Sequence, residues 1–394
     1  LLFEFSHDFF VDFKDKMKTA ISEQVQKEQV SLGELFSKFA LLLFALGTFL
    51  LSLELMVGAF RLIGEGRITE MLSGAANPFV GLFVGLLSTA IVQRSGLVTA
   101  MTVVLVGADI LSLHNAVPIV MGANIGTTIT CMIISMGHVT RKKEFRKAFA
   151  GSVLHVFFNL ITAIVLFPIE YFWKGLTQLS WFIVSFIESS KELFSIDLFS
   201  FVRLIQPLSD GILALLDFWL WGAVILAVLM LVGSLKAFSI LLKQLVVGKL
   251  FNRVESIVFA TDNKALFFGT ITTALLQSSS FVTSFIVTLV ASNRFSLKKA
   301  FPFIMGANIG TTITALLASI GKPQIALTLA MVHVLFNLVG VLLLYPIGAV
   351  RNGLVEGARR IGRASVQQRL LGFVYVVLVF FIIPFLLIFF TSRA

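Results

Sequence analysis

One polar phrase occurs twice inside the apolar runs of this chain. Residues 118–130 read PIVMGANIGTTIT and residues 302–314 read PFIMGANIGTTIT, identical at eleven of thirteen positions and offset by 184 residues. Upstream at the same offset, Gln93, Arg94, Ser95 and Gly96 answer to Gln277, Ser278, Ser279 and Ser280. Downstream, the run HVFFNL starting at His155 answers to HVLFNL starting at His333. A repeated apolar frame is unremarkable in a lipid-embedded chain, but repeated amides and hydroxyls inside it cost free energy unless each finds a partner. Two facing copies of a polar half-site are what a membrane protein built from internal repeats would place at its midplane.

Composition agrees with a bilayer as the solvent. Of 394 residues, 57% are hydrophobic and 13% charged, with mean hydropathy +0.97, which is outside the range of an ordinary soluble globule. A single cysteine, Cys131, excludes an intramolecular disulfide framework, and its apolar neighbourhood predicts a buried, inert thiol. The formal charge of +10 gathers in segments between spans, as membrane topology requires, and gives no case for nucleic acid as a partner. No pattern of nucleophile with base or of metal-binding residues marks an enzyme, so no catalytic residue and no enzymatic cofactor is expected.

The fold expected is an all-α polytopic membrane protein with two inverted repeats, each carrying a re-entrant helical hairpin, plus a final transmembrane helix. Residues 1–34 mix Phe5, Phe9, Phe10 and Phe13 with Asp8, Asp12 and Lys14, and read as an amphipathic interfacial segment rather than a signal peptide. Residues 35–168 form the first repeat, with a span at 35–60, a hairpin at 78–107, and spans at 116–136 and 149–167. The hairpin is inferred because each apolar half is shorter than the roughly 20 residues a crossing needs, and the polar break must be shielded by protein. Residues 169–210 read as an interfacial linker, although the aromatic stretch 169–187 is long enough to cross. Residues 211–348 form the second repeat, with a span at 211–242, a hairpin at 265–291, and spans at 300–320 and 326–347. A basic cytoplasmic loop at 349–369 leads to a final transmembrane helix and tail at 370–394, with the span at 370–390. Basic residues concentrate at 137–147, 243–264 and 351–369, which all lie on one side of this path. That side is therefore cytoplasmic, the amino terminus starts there, and the two repeats enter the membrane from opposite faces.

At each hairpin tip, free helix N–H groups form a cradle for an anion, and serine hydroxyls or a glutamine amide can face either an oxyanion or a cation. Gln277, Ser278, Ser279, Ser280 and Thr283 carry this reading most fully, against the plainer roles of caps and small-residue packing. Asn124, Thr127 and Thr128, with Asn308, Thr311 and Thr312, can ligate sodium or brace the tips. His155 and His333, each four residues before an asparagine (Asn159 and Asn337), suit a buried neutral hydrogen-bonded pair or a proton-coupled mechanism. Arg94 breaks the symmetry, since its counterpart is Ser278 and Gly96 stands where Ser280 does. Its guanidinium can bind phosphate in two-pronged fashion, or occupy the place of a coupling cation and tether the tip to an acid, with Glu54 the best partner inside a span. The phenylalanine-rich last span presents a lipid-facing or assembly surface.

At these residues the chain resembles the bacterial sodium-dependent phosphate cotransporter family, related to the animal type II renal and intestinal sodium–phosphate cotransporters. The resemblance rests on QSSS at 277–280 and the duplicated GANIGTT segments, and it covers the chain from the first span to about residue 347. It implies sodium-coupled symport of inorganic phosphate into the cell by alternating access, in the bacterial inner membrane, with sodium as the coupling ion and a homodimer as an allowed assembly. It implies phosphate-site roles for Gln93, Ser95, Gln277, Ser278, Ser279 and Ser280, with Thr99 and Thr283 beside them. It also implies sodium-side roles for the two asparagine–threonine clusters, with Gln277 and Ser279 shared. The family pattern has QSSS at both tips, and the QRSG found here departs from it. The alternative is a proton-coupled or differently coupled carrier of another oxyanion or small organic anion.

Overall fold

The structure is a computed structural model that describes residues 32–63, 77–189, 198–258, 261–367 and 369–391. The amino-terminal segment expected to be interfacial falls almost wholly outside these residues. Every regular element among the described residues is helical. In chain order they are α1 (Leu32–Ile63), α2 (Pro78–Val92), α3 (Ser95–Gly107), α4 (Leu113–Gly126), α5 (Thr128–Met136) and α6 (Lys142–Trp173). There follow α7 (Gly175–Ser189), α8 (Leu198–Leu215), α9 (Leu220–Val258), α10 (Asp262–Leu276), α11 (Ser279–Ala291) and α12 (Leu297–Ser319). The chain closes with α13 (Gln324–Leu344), α14 (Gly348–Ser365), α15 (Arg369–Val377) and α16 (Ile383–Thr391), the last two joined by a π-helical turn at Leu378–Ile382. Seven helical segments among the described residues are long and apolar enough to cross a membrane, which makes this a multi-pass membrane protein.

The repeat visible in the sequence extends to the punctuation of the helices. Asn77 caps α2 by accepting from the Phe79 amide at 2.9 Å, and at the same 184-residue offset Thr261 caps α10 by accepting from the Lys264 amide at 3.2 Å. Ser112 and Ser296 cap α4 and α12 in the same way. Left-handed backbone recurs at equivalent positions too: φ is 57° at Gln93 and 49° at Gln277, then 63° at Asp109 and 64° at Asn293. Asparagine and aspartate tolerate this region, and a glutamine there ends a helix within one residue.

Packing follows the same plan. The first arm of each broken pair lies along a GANIGTT helix, α2 on α4 and α10 on α12, while α1 packs along α9. The second arms reach into the other half: α3 contacts α12 and α13, and α11 contacts α5 and α6. Glycine makes the first of these contacts feasible. A Cβ added at Gly122 would stand 1.8 Å from the Leu82 carbonyl oxygen, and one at Gly306 would stand 2.0 Å from that of Leu266. Backbone therefore touches backbone there, as small residues allow between lipid-embedded helices.

Three segments differ from the expected layout. The span expected from 211 begins at Leu220, because residues 211–215 complete α8 and the 3-10 turn Asp217–Trp219 redirects the chain. Trp219 folds over Gly222, whose missing side chain leaves room for the indole. The aromatic stretch 169–187 divides at Lys174, which adopts left-handed backbone. Its second part is α7, only 15 residues long, with Leu176, Ser180 and Val184 buried and α13 beside it. Glu170 holds the start of α7 by accepting from the Leu176 amide at 2.9 Å and the Thr177 amide at 3.1 Å. Finally, the basic segment expected as a loop at 349–369 is largely the helix α14, whose Val355, Ala358 and Gly362 are buried on the side facing α6.

Replacing Gly306 by alanine should force α10 and α12 apart and cost about 1–3 kcal/mol, the range for overpacking a tight core. Gly353→Ala, in α14 with no atom within 4 Å of the added Cβ, should be neutral or slightly stabilising. Thermal unfolding midpoints of the two variants in detergent check this, and equal midpoints would remove the backbone contact from the packing argument.

Candidate functional site

The two breaks meet. α2 ends at Gln93, whose left-handed backbone turns its N–H back to the Thr89 carbonyl at 2.7 Å; α10 ends at Gln277 in the same way on Thr273, at 2.8 Å. Arg94 and Ser278 then stand at the cap positions of α3 and α11, and neither uses its side chain to cap the helix that follows. Each second arm therefore starts with first-turn N–H groups that have no intrahelical acceptor and carry the positive end of the helix dipole. The Ser280 hydroxyl donates to the Gln93 carbonyl at 3.0 Å, a hydrogen bond that ties one tip to the other.

Between the tips lies a cavity lined by Arg94, Ser95, Gly96 and Leu97 from the first break, and by Gln277, Ser278, Ser279 and Ser280 from the second. Thr311 and Thr314 of α12 and Leu235 of α9 complete it. Its volume of about 20 Å³ is room for little more than a single water molecule. The Gln277 amide is held at both ends: its nitrogen donates to the Ala274 carbonyl at 2.5 Å, and its oxygen accepts from the Thr314 hydroxyl at 2.6 Å. Opposite this neutral wall stands Arg94, half-buried, with its Nη1 buried and without a hydrogen-bond partner. A guanidinium edge with an unmet donor, beside two helix amino termini and several hydroxyls, is chemically an oxyanion receptor.

Of the residues expected at this site, Arg94, Ser95, Gln277, Ser278, Ser279, Ser280 and Thr311 line the cavity, and the rest do not. Gln93 contributes its backbone carbonyl to the tip contact, but its side chain is exposed and outside the lining. Thr99 and Thr283 sit one turn behind, donating to the carbonyls of Gly96 and Ser279 at 3.2 and 2.8 Å. Thr127, Thr128 and Thr312 likewise donate to carbonyls of their own helices. Thr314 was missed by sequence reasoning, although its place at the end of the repeated phrase was a usable signal. Thr89 and Thr273 were missed too; they occupy equivalent positions one turn before the two glutamines, and both hydroxyls are buried without a partner.

Asn124 and Asn308 are already engaged. The His333 Nε2 lies 3.2 Å from Asn124 Oδ1, and the His155 Nε2 lies 3.2 Å from Asn308 Oδ1. Each asparagine amide also donates to its own helix, to Val120 and Ile304. All four side chains are buried, and each histidine reaches from one half of the molecule into the other. The sequence suggested a pairing of each histidine with the asparagine four residues on. Those residues, Asn159 and Asn337, instead donate to the histidines' backbone carbonyls, and the rings point across the repeat boundary. Cys131 is buried as expected and sits 3.1 Å from the Thr283 hydroxyl. Its counterpart Ala315 offers no such group, and His333 Nδ1 is left without a partner. The acid proposed for Arg94 is also taken: Glu54 accepts from Lys322 Nζ at 2.5 Å, and both side chains are largely buried. Lys322 lies in the connection from α12 to α13, outside the expected spans.

Replacing Asn124 by leucine should leave both nitrogens of His333 unmet and cost about 1–3 kcal/mol. Adding His333→Leu removes the orphaned donor and should recover part of the loss. Thermal midpoints across this double-mutant cycle measure it; strictly additive losses would show that the cross-repeat contact carries no coupling.

Comparison with known proteins gives a consistent result. The profile of a family described as Na+/Pi-cotransporter matches residues 48–186 and 229–378. The sodium-dependent phosphate transport protein 2B of cattle is 29% identical over 443 residues, covering 88% of this chain and 64% of the relative. The human 2B protein is 28% identical with the same coverage of both chains, and the 2A protein of sheep is 28% identical over 89% of this chain and 67% of its own length. The chain thus spans about two thirds of each of these vertebrate relatives, and 64% of the first. No solved structure matches.

Proposed function

Because this chain belongs to the Na+/Pi-cotransporter family, we propose that it carries inorganic phosphate across a membrane together with sodium, by alternating access around the cavity between the two broken helix pairs. The observation that carries this reading is Arg94, which lines the cavity together with Ser95, Ser278 and Ser279 at the starts of α3 and α11, and whose Nη1 is buried without a hydrogen-bond partner. Phosphate would be held by these N–H groups and by Arg94, with Ser280 and Thr314 at the margin. Sodium would add the remaining positive charge through oxygen ligands, for which the hydroxyls of Thr311 and Ser279 in the cavity wall are the groups at hand. Asn124 and Asn308 then serve as braces behind the site, since their oxygens already accept from histidine. The buried histidines lie outside the cavity lining, so nothing favours them as proton carriers.

The two breaks are read as the tips of re-entrant hairpins in inverted repeats. Three observations support this. Caps and left-handed residues recur at one offset. The second arm of each pair packs against the opposite half. Polar ties cluster by face, with Lys147 on Asn293 and Arg351 on Asp262 at the basic side, and Lys322 on Glu54 at the other. The basic side is read as cytoplasmic by the charge rule for membrane loops. With room for about one water, the cavity admits phosphate only if the tips separate, so the Ser280–Gln93 contact must break during loading and release. Binding energy from phosphate and sodium would drive that exchange between closed and open arrangements.

Purified protein in proteoliposomes should take up labelled phosphate when sodium is present outside, and lose that uptake when choline replaces sodium. Uptake driven by a pH gradient without sodium would overturn the coupling. Arg94→Gln should weaken phosphate by about 1.5–3 kcal/mol, the worth of a hydrogen bond to a charged group, or roughly ten- to a hundredfold in KM. An unchanged KM would remove Arg94 from the site.

A further inference from the structure

A second concave site lies on the basic face, away from the cavity between the tips. Its volume is about 300 Å³, at the lower end of what small-molecule sites occupy. Arg146 and Lys147 from the start of α6 and Arg359 and Arg363 from α14 bring four cations to its walls. No acidic side chain lines it; the carboxylate of Glu356 pairs with the two α14 arginines, 2.8 Å from Arg363 and 3.6 Å from Arg359. One carboxylate shared among arginines leaves the cleft strongly positive. Ser296, the cap of α12, also lines it, so the positive end of a 23-residue helix opens into the same space.

The cleft is held open by fixed contacts. Lys147 Nζ donates to Asn293 Oδ1 at 2.6 Å across the gap between α6 and the turn after α11. α14 is pressed onto α6 at Gly362, where an added Cβ would meet the Arg146 carbonyl at 2.5 Å. That contact fixes Arg359 and Arg363, four residues apart on one face of α14, over the start of α6. A roomy cleft with several guanidiniums and a helix amino terminus is matched by a multiply charged oxyanion.

We propose that this cleft is a binding site for a phosphate monoester or free phosphate, supplied either by an anionic lipid headgroup or by phosphate in solution on the basic face. The site stands independently of the transport reading, since the cleft residues are remote from the tips. Full-length protein in neutral phosphatidylcholine nanodiscs is assayed by equilibrium binding in two arms, one with radiolabelled inorganic phosphate and one with labelled short-chain phosphatidic acid. Three variants are compared with the parent: Arg359→Gln with Arg363→Gln, the single Arg146→Gln, and Lys142→Gln with Lys143→Gln as a charge-matched control outside the cleft. The altered side chains are exposed, and an unchanged thermal midpoint without anion confirms folding. At least a tenfold loss in the lipid arm, confined to the cleft variants, is expected if headgroups are the source. The same loss in the inorganic-phosphate arm, again confined to the cleft variants, is expected if free phosphate is. Unchanged binding in both arms, or an equal loss in the lysine control, overturns the proposal.

Discussion

Two interrupted helices in an apolar interior leave backbone groups that must be satisfied within a few residues. That requirement governs the rest of the molecule. Glutamine in left-handed backbone at Gln93 and Gln277 ends each first arm while returning its own N–H to the preceding turn. The cost is a non-glycine residue in a sparsely populated region, and the return is a break confined to two residues. The first-turn N–H groups of α3 and α11 have no acceptor within their own helices, and these are the groups an anion would complete. The site is thus built on the groups that the break itself leaves without helical partners.

Keeping that remainder in place needs a rigid surround. Gly122 and Gly306 bring the first arms against the GANIGTT helices at backbone distance. The histidines then lock those same helices to the opposite half through Asn124 and Asn308. Buried hydrogen bonds of this kind contribute modestly when made and cost more when broken, so they serve registration better than bulk stability. The surround is not perfectly symmetric. Cys131 places a thiol 3.5 Å from His155 Nδ1, whereas His333 Nδ1 faces no such group.

Spans and breaks were legible because they depend on runs of apolar residues and on the rarity of Gln, Ser and Arg inside them. The QRSG and QSSS breaks, matched at the offset of the repeated phrase, supplied six of the lining residues and the phrase itself supplied Thr311. Pairings across the repeat boundary were not legible, since helical spacing favours neighbours four residues apart and says nothing of what a helix faces. Hence Asn159 looked like the partner of His155 when the ring reaches Asn308. Glu54 looked like the partner of Arg94 for want of another acid in a span, whereas it pairs with a lysine in a connection between helices. The helix α14 was hidden by its charge: only Val355, Ala358 and Gly362 betray an inner face, spaced three and four residues apart. The two caps at Asn77 and Thr261 were readable from the same offset that revealed the tips, and they show the repeat extending beyond the chemistry.

The exchange of serine for arginine at one tip alters the electrostatics of the proposed cycle. A neutral pair of tips meets phosphate with dipoles alone, and every unit of its charge must be offset by ions that enter with it. Arg94 supplies one positive charge permanently, and in a low-dielectric setting a fixed cation close to an anion offsets much of its desolvation cost. The same charge is a burden when no anion is bound, because its Nη1 is then buried and unpaired. In the proposed cycle such a site would gain more from holding phosphate than a neutral site, and less from each sodium. On that proposal the asymmetry between QRSG and QSSS would shift the balance of binding toward the anion, with the second tip and its Thr314-anchored glutamine left to provide shape and hydrogen bonds.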